Sequence, residues 1–376
     1  MAEILFYLLL LLLLYPYLLY PCLVSVYAKL AGRNWKLGDS QPHISIIISV
    51  YNEEGVIREK IDNTLDLIYP EHLLEICVVS DGSTDRTNEI VESFDPSRVK
   101  LKAFSERKGK TACLNRIVPD AQGDIILFTD ANSMFPPDLL QKLSGNFSSE
   151  NEKIGLVTGW TKYRKPGGTE ETVGLYARLE MLTKKAESMI SSCVGADGAV
   201  FAIRKNLYLP LLDGDINDFV IPLNVIAQGK RVVLDPAVYC FEQPGENESK
   251  EYRRQVRITN RTLGAIGRNR GFLNPFQYGS FSFFLFSHKI LRFLVPFTFL
   301  GALITAVSLI NESIFYAGFV TAQLIFVGIG IAGMLKLFSG RLTQLCSFFL
   351  LTIIAQSVGW LRWTSGKADV MWKPVR

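Results

Sequence analysis

Two acidic segments carry the residues with the clearest chemical potential. SDGSTD occupies residues 80–85, and DAN occupies residues 130–132. Each segment follows a short apolar run, which is typical of a strand buried on both faces of a parallel sheet. In an open α/β sheet, side chains at the carboxyl ends of such strands line the ligand crevice. Carboxylates at that edge, with Lys110 between them in the sequence, indicate a site for a nucleotide diphosphate and a divalent metal ion, Mg2+ or Mn2+.

The segments around these residues predict the sheet that would position them. Apolar runs alternate with helical patterns, which predicts βαβ units and an α/β fold with a mostly parallel central sheet. There is no Walker loop and no GxGxxG motif after the first strand, so a metal ion with acidic ligands is the expected means of holding phosphates. The predicted strands are 44–50, 75–80, 99–105, 124–129, 154–160, 198–204 and 230–235, and the predicted helices are 55–67, 85–93, 110–117 and 169–190.

An apolar segment near the amino terminus predicts a membrane anchor over residues 1–28. Residues 4–28 contain no charged side chain, and about 20 apolar residues suffice to cross a bilayer. A cleaved signal peptide is the alternative, but it would have a basic start and a shorter apolar core. The basic residues Lys29, Arg33 and Lys36 come after the segment, so the positive-inside rule places the following domain in the cytosol, at the plasma (inner) membrane.

A second hydrophobic region, residues 292–376, predicts about three further spans. They fall at 293–310, 314–335 and 343–361. Four spans in total would place the basic tail, residues 367–376, on the outside, against the charge rule. One of the apolar segments is therefore expected to be re-entrant or interfacial.

The segment just before these spans combines apolar and polar side chains. Residues 276–290 are aromatic and apolar but end in His288 and Lys289, which favours an amphipathic helix lying in the membrane interface. A buried core helix is the alternative.

The overall composition excludes some classes of partner. The chain has 376 residues with 40 basic and 36 acidic side chains, a balance that argues against nucleic acid and leaves membrane lipids as the partner of the local basic clusters. The six cysteines form no CxxC pair, so they predict reduced, buried thiols with no zinc site or disulfide framework.

Six motifs together resemble a known family. Their order and spacing are similar to those of membrane-anchored family 2 glycosyltransferases with the GT-A fold, related to the polysaccharide synthases. The resemblance implies a GT-A nucleotide-sugar-binding domain over residues 40–275, flanked by transmembrane helices, with a nucleotide-sugar donor and a lipid-linked or glycan acceptor. The motifs are SVYNEE (49–54), SDGSTD (80–85), GKTACLN (109–115), TDANS (129–133), GADGAVFAIRK (195–205) and NDFVIPL (217–223).

The resemblance assigns four residues to the donor nucleotide. Tyr51 and Glu53 would line the base and ribose, and Asp81 would accept a hydrogen bond from a ring N–H of the base. Lys110 would offer a positive charge to the donor. The alternatives are a strand-end turn with solvated acids and a solvated lysine.

The DAN segment occupies the position of the family's DxD motif. There the resemblance implies that Asp130 holds the ribose and, with Asn132, the metal that bridges the diphosphate. Asn132 stands where the family has a second carboxylate. Its amide oxygen can still bind a hard cation, but the site has one negative charge fewer. Asp85, by contrast, is expected to cap the helix that follows it.

The resemblance also assigns two catalytic residues. Asp218 matches the base of an inverting, single-displacement reaction, with a helix cap as its alternative role and Asp215 as a nearby alternative base. Arg257 aligns with the arginine of the QxxRW motif, which would stabilise the leaving diphosphate. Ile258 replaces the tryptophan, so that motif is not intact. A basic interfacial helix is the alternative for this segment.

These patterns predict a membrane-anchored enzyme. It would move a sugar from a nucleotide diphosphate sugar to a membrane-associated lipid-linked or polysaccharide acceptor, in cell-envelope or exopolysaccharide biosynthesis. A processive polysaccharide synthase and a catalytically silent nucleotide-binding membrane protein remain the alternatives.

Overall fold

The computed structural model describes most of the chain. The described residues are 1–164, 171–172, 174–243, 248–338 and 340–367. The predicted basic tail beyond residue 367, and residues 169–170 and 173 of the helix predicted at 169–190, lie outside them. The start predicted for that helix is wrong, because Glu171–Thr172 pair with a neighbouring strand and the helix begins at Leu175.

Eight strands form one mixed sheet, which confirms the predicted α/β class. The strand order is β3-β2-β1-β4-β7-β5-β6, and β8 pairs with β5. Four pairings are parallel, namely β1 with β2 and β4, β2 with β3, and β5 with β8. The strands are β1 (Ile44–Val50), β2 (Leu74–Asp81), β3 (Val99–Phe104), β4 (Ile125–Asp130), β5 (Ile154–Arg164), β6 (Glu171–Thr172), β7 (Val200–Arg204) and β8 (Arg231–Glu242).

The apolar run of β1 explains its central place. All seven of its residues are buried, because β2 and β4 flank it and helices cover both faces. Ile47 lies opposite Cys77 on one side and Phe128 on the other. Its neighbours Ile46 and Ile48 point to the opposite face and join a second hydrophobic cluster.

The strand directions gather the site at one edge of the sheet. β7 runs antiparallel to both β4 and β5, so β5 and β8 point the same way as β1, β2 and β4. β3 is parallel to β2, so six carboxyl ends among the described strands lie at this edge, where β7 begins. β8 extends to Glu242, seven residues past the end predicted for that strand at 235, and this extension adds an acidic residue to the edge.

The helices occur where the periodicity predicted them. The predicted helix at 110–117 has those bounds, and the helix predicted at 55–67 is shorter. Asp85 was expected to cap the following helix, but the N-cap residue is Arg86, which makes no side-chain capping bond. Asp85 lies one residue earlier and accepts the N–H of Thr87, the first residue of the helix, at 3.0 Å. The helices that precede the membrane region are α1 (Ala2–Leu14), α2 (Tyr20–Ala31), α3 (Ile57–Leu65), α4 (Thr87–Glu92), α5 (Lys110–Ile117), α6 (Leu139–Ser144), α7 (Leu175–Ile190), α8 (Asn217–Ala227), α9 (Glu248–Arg268) and α10 (Pro275–Tyr278).

Three helices in the described chain are long and apolar enough to cross a membrane. Two further helices, Ser280–Phe293 and Val295–Ser308, form a pair that is bent by 60° at the break between them. This bent pair would make a fourth span if the two helices cross the membrane together. The three single helices are Ala2–Ala31, which joins α1 and α2 through a π-helical turn, α14 (Ile314–Met334) and α15 (Arg341–Thr364). The bent pair comprises α11 (Ser280–Phe284), a π-helical turn (Leu285–Ile290), α12 (Leu291–Phe293) and α13 (Val295–Ser308).

The membrane helices share a hydrophobic core with the sheet. Tyr20 and Val24 of α2 and Phe281 of α11 belong to the same buried cluster as Ile47 and Phe128 of the central strands. The amino-terminal and bent helices therefore continue the packing of one sheet face, and their position relative to the sheet edge is fixed by side-chain packing.

Gly159 permits the close approach of β5 and β8. A Cβ atom at this position would lie 2.4 Å from the carbonyl oxygen of Val238, which cannot retreat without disturbing the sheet. We expect Gly159→Ala to lower the free energy of unfolding by about 1–3 kcal/mol, as overpacking typically does. Thermal unfolding in detergent measures the effect. The control is Gly55→Ala, where a Cβ atom meets nothing within 4 Å. Equal melting temperatures for the two variants would contradict this account.

Candidate active site

Lys110 and Asp130 form the centre of the site. Asp130 ends β4, and Lys110 begins α5 on the neighbouring connection. The Lys110 ammonium donates to Asp130 Oδ1 at 2.6 Å, and the side chains retain 12% and 31% exposure. The two predicted donor-site residues are therefore in contact with each other. The pair is open to the crevice, and its charges are available to a ligand.

Asp81 organises a loop beside this pair. Its Oδ1 accepts the backbone N–H of Lys108 at 2.7 Å, and its Oδ2 accepts that of Gly109 at 2.9 Å. Arg107 lies 3.8 Å from the same carboxylate and stacks over the Tyr51 ring at 3.6 Å. Asp81 and Tyr51 thus meet through Arg107, a residue the sequence analysis did not assign to the site.

A backbone hydrogen bond holds Glu53 in the loop that follows β1. It is buried, and its N–H donates to Thr87 Oγ1 at 2.7 Å. This contact ties the loop after β1 to the start of α4. The two loops that hold Tyr51 and Asp81 are therefore braced against each other.

The residues at the DxD position fit a divalent ion that is bound largely through its substrate. Asn132 is exposed beside Asp130. Among the described residues there is no group of three or more His, Cys, Asp or Glu side chains arranged to hold a metal by themselves. One carboxylate and one amide oxygen are nevertheless a suitable protein contribution for Mg2+ or Mn2+ when phosphate oxygens supply further ligands.

Asp218 is a buried carboxylate with an unused acceptor. It is the second residue of α8, and its Oδ1 is buried without a hydrogen-bond partner. Burial raises the pKa of Asp218, while the positive charges of Lys289 and Lys110 act in the opposite direction. A carboxylate that prefers to gain a proton and has a free oxygen can act as a general base.

Asp215, the alternative base, is fully engaged. Its Oδ1 accepts Arg268 at 2.5 Å, and its Oδ2 accepts the N–H of Leu212 at 2.9 Å. It is also only 4% exposed. Its contacts suit a structural role that ties α9 to the loop before α8.

Arg257 faces the same crevice from α9. Burial lowers its pKa to about 10, helped by the nearby charges of Arg261 and Arg254, whereas Asp130 and Asp218 act in the opposite direction. Within the described parts of the chain, the Arg257 side chain has no ion pair and no hydrogen bond. The structure thus brings Arg257, Asp130, Lys110 and Asp218 into one electrostatic group.

Sequence reasoning missed a buried layer beneath the DxD position. Lys60 has no exposed surface, donates to the carbonyl oxygen of Ser133 and lies 3.5 Å from the centre of the Phe135 ring. Ser133 in turn donates its hydroxyl to Glu242 Oε1 at 2.6 Å. Burial lowers the pKa of Lys60 to about 7 and raises that of Glu242 to about 7. Both side chains hold the residue that follows Asn132.

Asp197 was also missed, although its motif was recognised. Its carboxylate accepts the Thr161 hydroxyl at 3.0 Å and the Ala199 N–H at 3.1 Å. These bonds join the ends of β5 and β7 beside Glu242. Its position in GADG, just before the start of β7, is the feature of the sequence that could have indicated this role.

A second polar cluster lies where the bent helix pair meets α7. His288 is buried between Glu187 (2.6 Å from Nδ1) and Glu180 (3.0 Å from Nε2). Arg292 donates to Glu180 at 2.5 Å, and Tyr20 donates to Glu187 at 2.6 Å. Burial alone would raise the pKa of Glu180, but Arg292 and His288 hold it well below its usual range. We call these five residues the junction cluster.

Part of the sheet domain matches a known family model. The family model described as Glycosyl transferase family 2 matches residues 45–201. A beta-monoglucosyldiacylglycerol synthase from Nostoc sp. is 31% identical over 136 residues, which are 35% of this chain and 29% of that protein. A poly-beta-1,6-N-acetyl-D-glucosamine synthase from Staphylococcus aureus is 25% identical over 230 residues, 58% of this chain and 54% of that protein. The chain thus spans about half or less of the length of these curated relatives.

One solved structure is similar over nearly the full chain. It is a mannosyltransferase from Pyrobaculum calidifontis in complex with GDP-Man and Mn2+, with a TM-score of 0.74 and 20% identity. The likeness covers 98% of this chain and 100% of that one. At this identity it shows the fold alone, and it confirms the predicted GT-A type.

If the Asp81 carboxylate holds the loop at 107–109, weakening its hydrogen bonds should loosen that loop. Asn keeps one acceptor oxygen but loses the charge that strengthens such bonds about twofold. We expect Asp81→Asn to speed hydrogen exchange at the Lys108 and Gly109 amides by about tenfold or more. The control is Asp95→Asn, which weakens a similar bond to the Ser97 N–H at an exposed turn in the same way. Unchanged exchange at residues 108 and 109 would show that other contacts hold the loop.

Proposed function

Because residues 45–201 are a family 2 glycosyltransferase domain, we propose that this chain transfers a sugar from a nucleotide diphosphate sugar to an acceptor at a membrane. The observation that carries the proposal is the single electrostatic group formed by Lys110, Asp130, Asp218 and Arg257. It combines cations for a diphosphate with a carboxylate that has a free, buried oxygen.

The residues divide the reaction between them. Asp218 takes the proton from the acceptor hydroxyl as that oxygen attacks the anomeric carbon. The bond from that carbon to the diphosphate breaks, and its electron pair leaves with the nucleotide diphosphate. Arg257 and Lys110 stabilise the negative charge on the leaving group. A single displacement of this kind inverts the anomeric configuration.

The donor nucleotide lies against the ends of β1 and β2 in this proposal. Tyr51 and Glu53 line the base and ribose, and the Asp81 carboxylate keeps acceptor capacity for a ring N–H beyond its two backbone bonds. Asp130 and Asn132 would hold Mg2+ or Mn2+, which would neutralise charge on the diphosphate when bound.

The membrane helices indicate where the acceptor is presented. Three or four possible spans surround the domain, and α2 and the bent pair pack on the sheet. A lipid-linked or polysaccharide acceptor at the cytosolic face of the plasma (inner) membrane fits this arrangement. Ile258, in place of an acceptor-stacking tryptophan, favours transfer of one sugar over processive synthesis.

The test is a donor screen with purified full-length protein in detergent. A panel of nucleotide sugars is offered with Mg2+, Mn2+ or a chelator, and release of nucleotide diphosphate is measured. We expect one donor to be turned over with a metal present. Asp218→Asn should lower kcat by about 100- to 10,000-fold, the usual contribution of a general base. Asp213→Asn, an exposed residue nearby, is the matched control.

Two results would overturn the proposal. One is the absence of binding or turnover for every donor by folded protein. The other is an Asp218→Asn variant as active as the parent. Full activity in chelator would remove the metal role of Asp130 and Asn132 while leaving the transfer itself in place.

The pKa of Asp218 sets the expected pH dependence. A base must be ionised, so kcat/KM falls as pH drops through its pKa. Because burial raises this pKa above the ordinary 3.8, the acidic limb of the profile should lie above that pH. Lys289→Met removes a charge that lowers the pKa and should move the limb higher still. Lys29→Met, at an exposed site in α2, should not move it. A limb at or below the ordinary value would contradict the role of burial.

A further inference from the structure

Lys289 is a cation close to the proposed base. It lies in the π-helical turn of the bent pair, and its Cε is 3.9 Å from the position of a Cβ atom built on Gly195. Gly195 has a φ of 74° and begins the turn in which the Ala196 N–H donates to the Asp218 carbonyl oxygen at 2.7 Å. The ammonium is 5.9 Å from the Phe219 ring. The side chain therefore extends from the membrane helices to the start of α8.

The junction cluster orients Lys289, and the negative charges of this cluster are paired within it. His288, the preceding residue, is clamped between Glu180 and Glu187, which orients this turn. Glu180 is also paired with Arg292, and Glu187 accepts Tyr20. Both glutamates are thus already engaged. Among the described residues, none forms an ion pair or hydrogen bond with Lys289.

Asp218 and Lys289 lie close together without pairing. Their charges are near enough to interact, yet they form no ion pair within 4.0 Å. Asp218 Oδ1 is buried and unpartnered. Gly198 leaves room beside this carboxylate, because a Cβ atom there would lie 3.3 Å from Asp218 Oδ2. Lys289 is half-buried, and such a cation gains from an anion that forms charge-assisted hydrogen bonds with it.

Exposed apolar side chains surround Lys289. The helix of Lys289 exposes Phe283 and Phe286, and α7 exposes Leu175 and Leu182. Exposed apolar side chains beside a buried polar cluster are typical of a surface that meets lipid. A ligand could therefore keep its chain in the bilayer and present its polar group here.

We propose that Lys289 binds an anionic group, a phosphate or phosphodiester, carried by the acceptor next to the hydroxyl that Asp218 deprotonates. The inference rests on the proposed function and narrows its acceptor to phosphate-bearing lipids. In the transfer step the acceptor O–H proton passes to Asp218, the oxygen bonds to the anomeric carbon, and the nucleotide diphosphate departs. Lys289 takes no part in bond exchange and fixes the acceptor in place.

The test compares two soluble lipids with the same acyl chains. Dioctanoylphosphatidylglycerol carries a phosphodiester and free hydroxyls, whereas dioctanoylglycerol carries a hydroxyl without phosphate. Each is titrated into full-length protein in neutral detergent, and binding is followed by thermophoresis. We expect the parent to bind the phospholipid at least about tenfold more tightly, a difference of about 1.4 kcal/mol. Lys289→Met should abolish the preference, Lys289→Arg should keep it, and Lys29→Met should match the parent.

Two further arms separate other sources of the same chemistry. Arg257→Gln tests whether the phospholipid occupies the diphosphate site, and it should keep the preference. Nanodiscs of phosphatidylcholine with and without phosphatidylglycerol test for a bilayer headgroup as the ligand. The proposal is overturned if Lys289→Met keeps the preference, if Arg257→Gln alone removes it, or if Lys289 affects only nanodisc lipid and not the soluble pair. Because lipid binding is read without sugar transfer, its failure is distinguishable from failure of the donor screen.

Discussion

The clamp of His288 between Glu180 and Glu187 is the interaction on which the arrangement of the two halves of the protein depends. It joins a membrane helix to the helix that packs behind the active edge of the sheet. Breaking one partner of such a buried set typically costs about 3–5 kcal/mol, because a charge is left without compensation. Tyr20 brings the amino-terminal helix into the same set. The position of these apolar helices relative to the carboxyl edge of the sheet is therefore set by side-chain chemistry as well as by apolar packing.

Aspartates in this protein differ in how many of their carboxylate oxygens have hydrogen-bond or ion-pair partners. Asp85 and Asp197, which are half-buried, each accept bonds from neighbouring amides and hydroxyls, and the buried Asp215 is paired with an arginine. Asp218 is also half-buried, but its Oδ1 is buried without a partner. A buried polar atom without a partner costs free energy, and a bound ligand is one way to supply that partner. The unpartnered oxygen therefore distinguishes Asp218 from the other three aspartates and supports the role proposed for it.

Much of the fold could be predicted because strands buried on both faces leave a continuous apolar signal. The run at 44–50 and the helix at 110–117 have the predicted bounds for this reason. The same apolar runs show where each strand ends, so they also predicted which polar residues lie at the strand ends. Lys60 and Glu242 could not be predicted, since Lys60 looks like a surface lysine in a helical pattern and Glu242 reaches the edge only through the long pairing of β8 with β5. His288 was read as the polar end of an interfacial helix, because its glutamate partners lie more than a hundred residues away.

Two π-helical turns face each other within the membrane region, Tyr15–Leu19 and Leu285–Ile290, joined by a contact between the Tyr15 and Ser287 hydroxyls at 3.2 Å. A π turn holds one more residue than an α turn, and each residue of a helix rotates the chain by about 100°. Removing one residue from the second turn would restore regular pitch but rotate Arg292 away from Glu180 of α7. A substitution along these helices leaves the rotation of the chain unchanged, whereas a single-residue insertion or deletion between Ser280 and Phe293 would alter it.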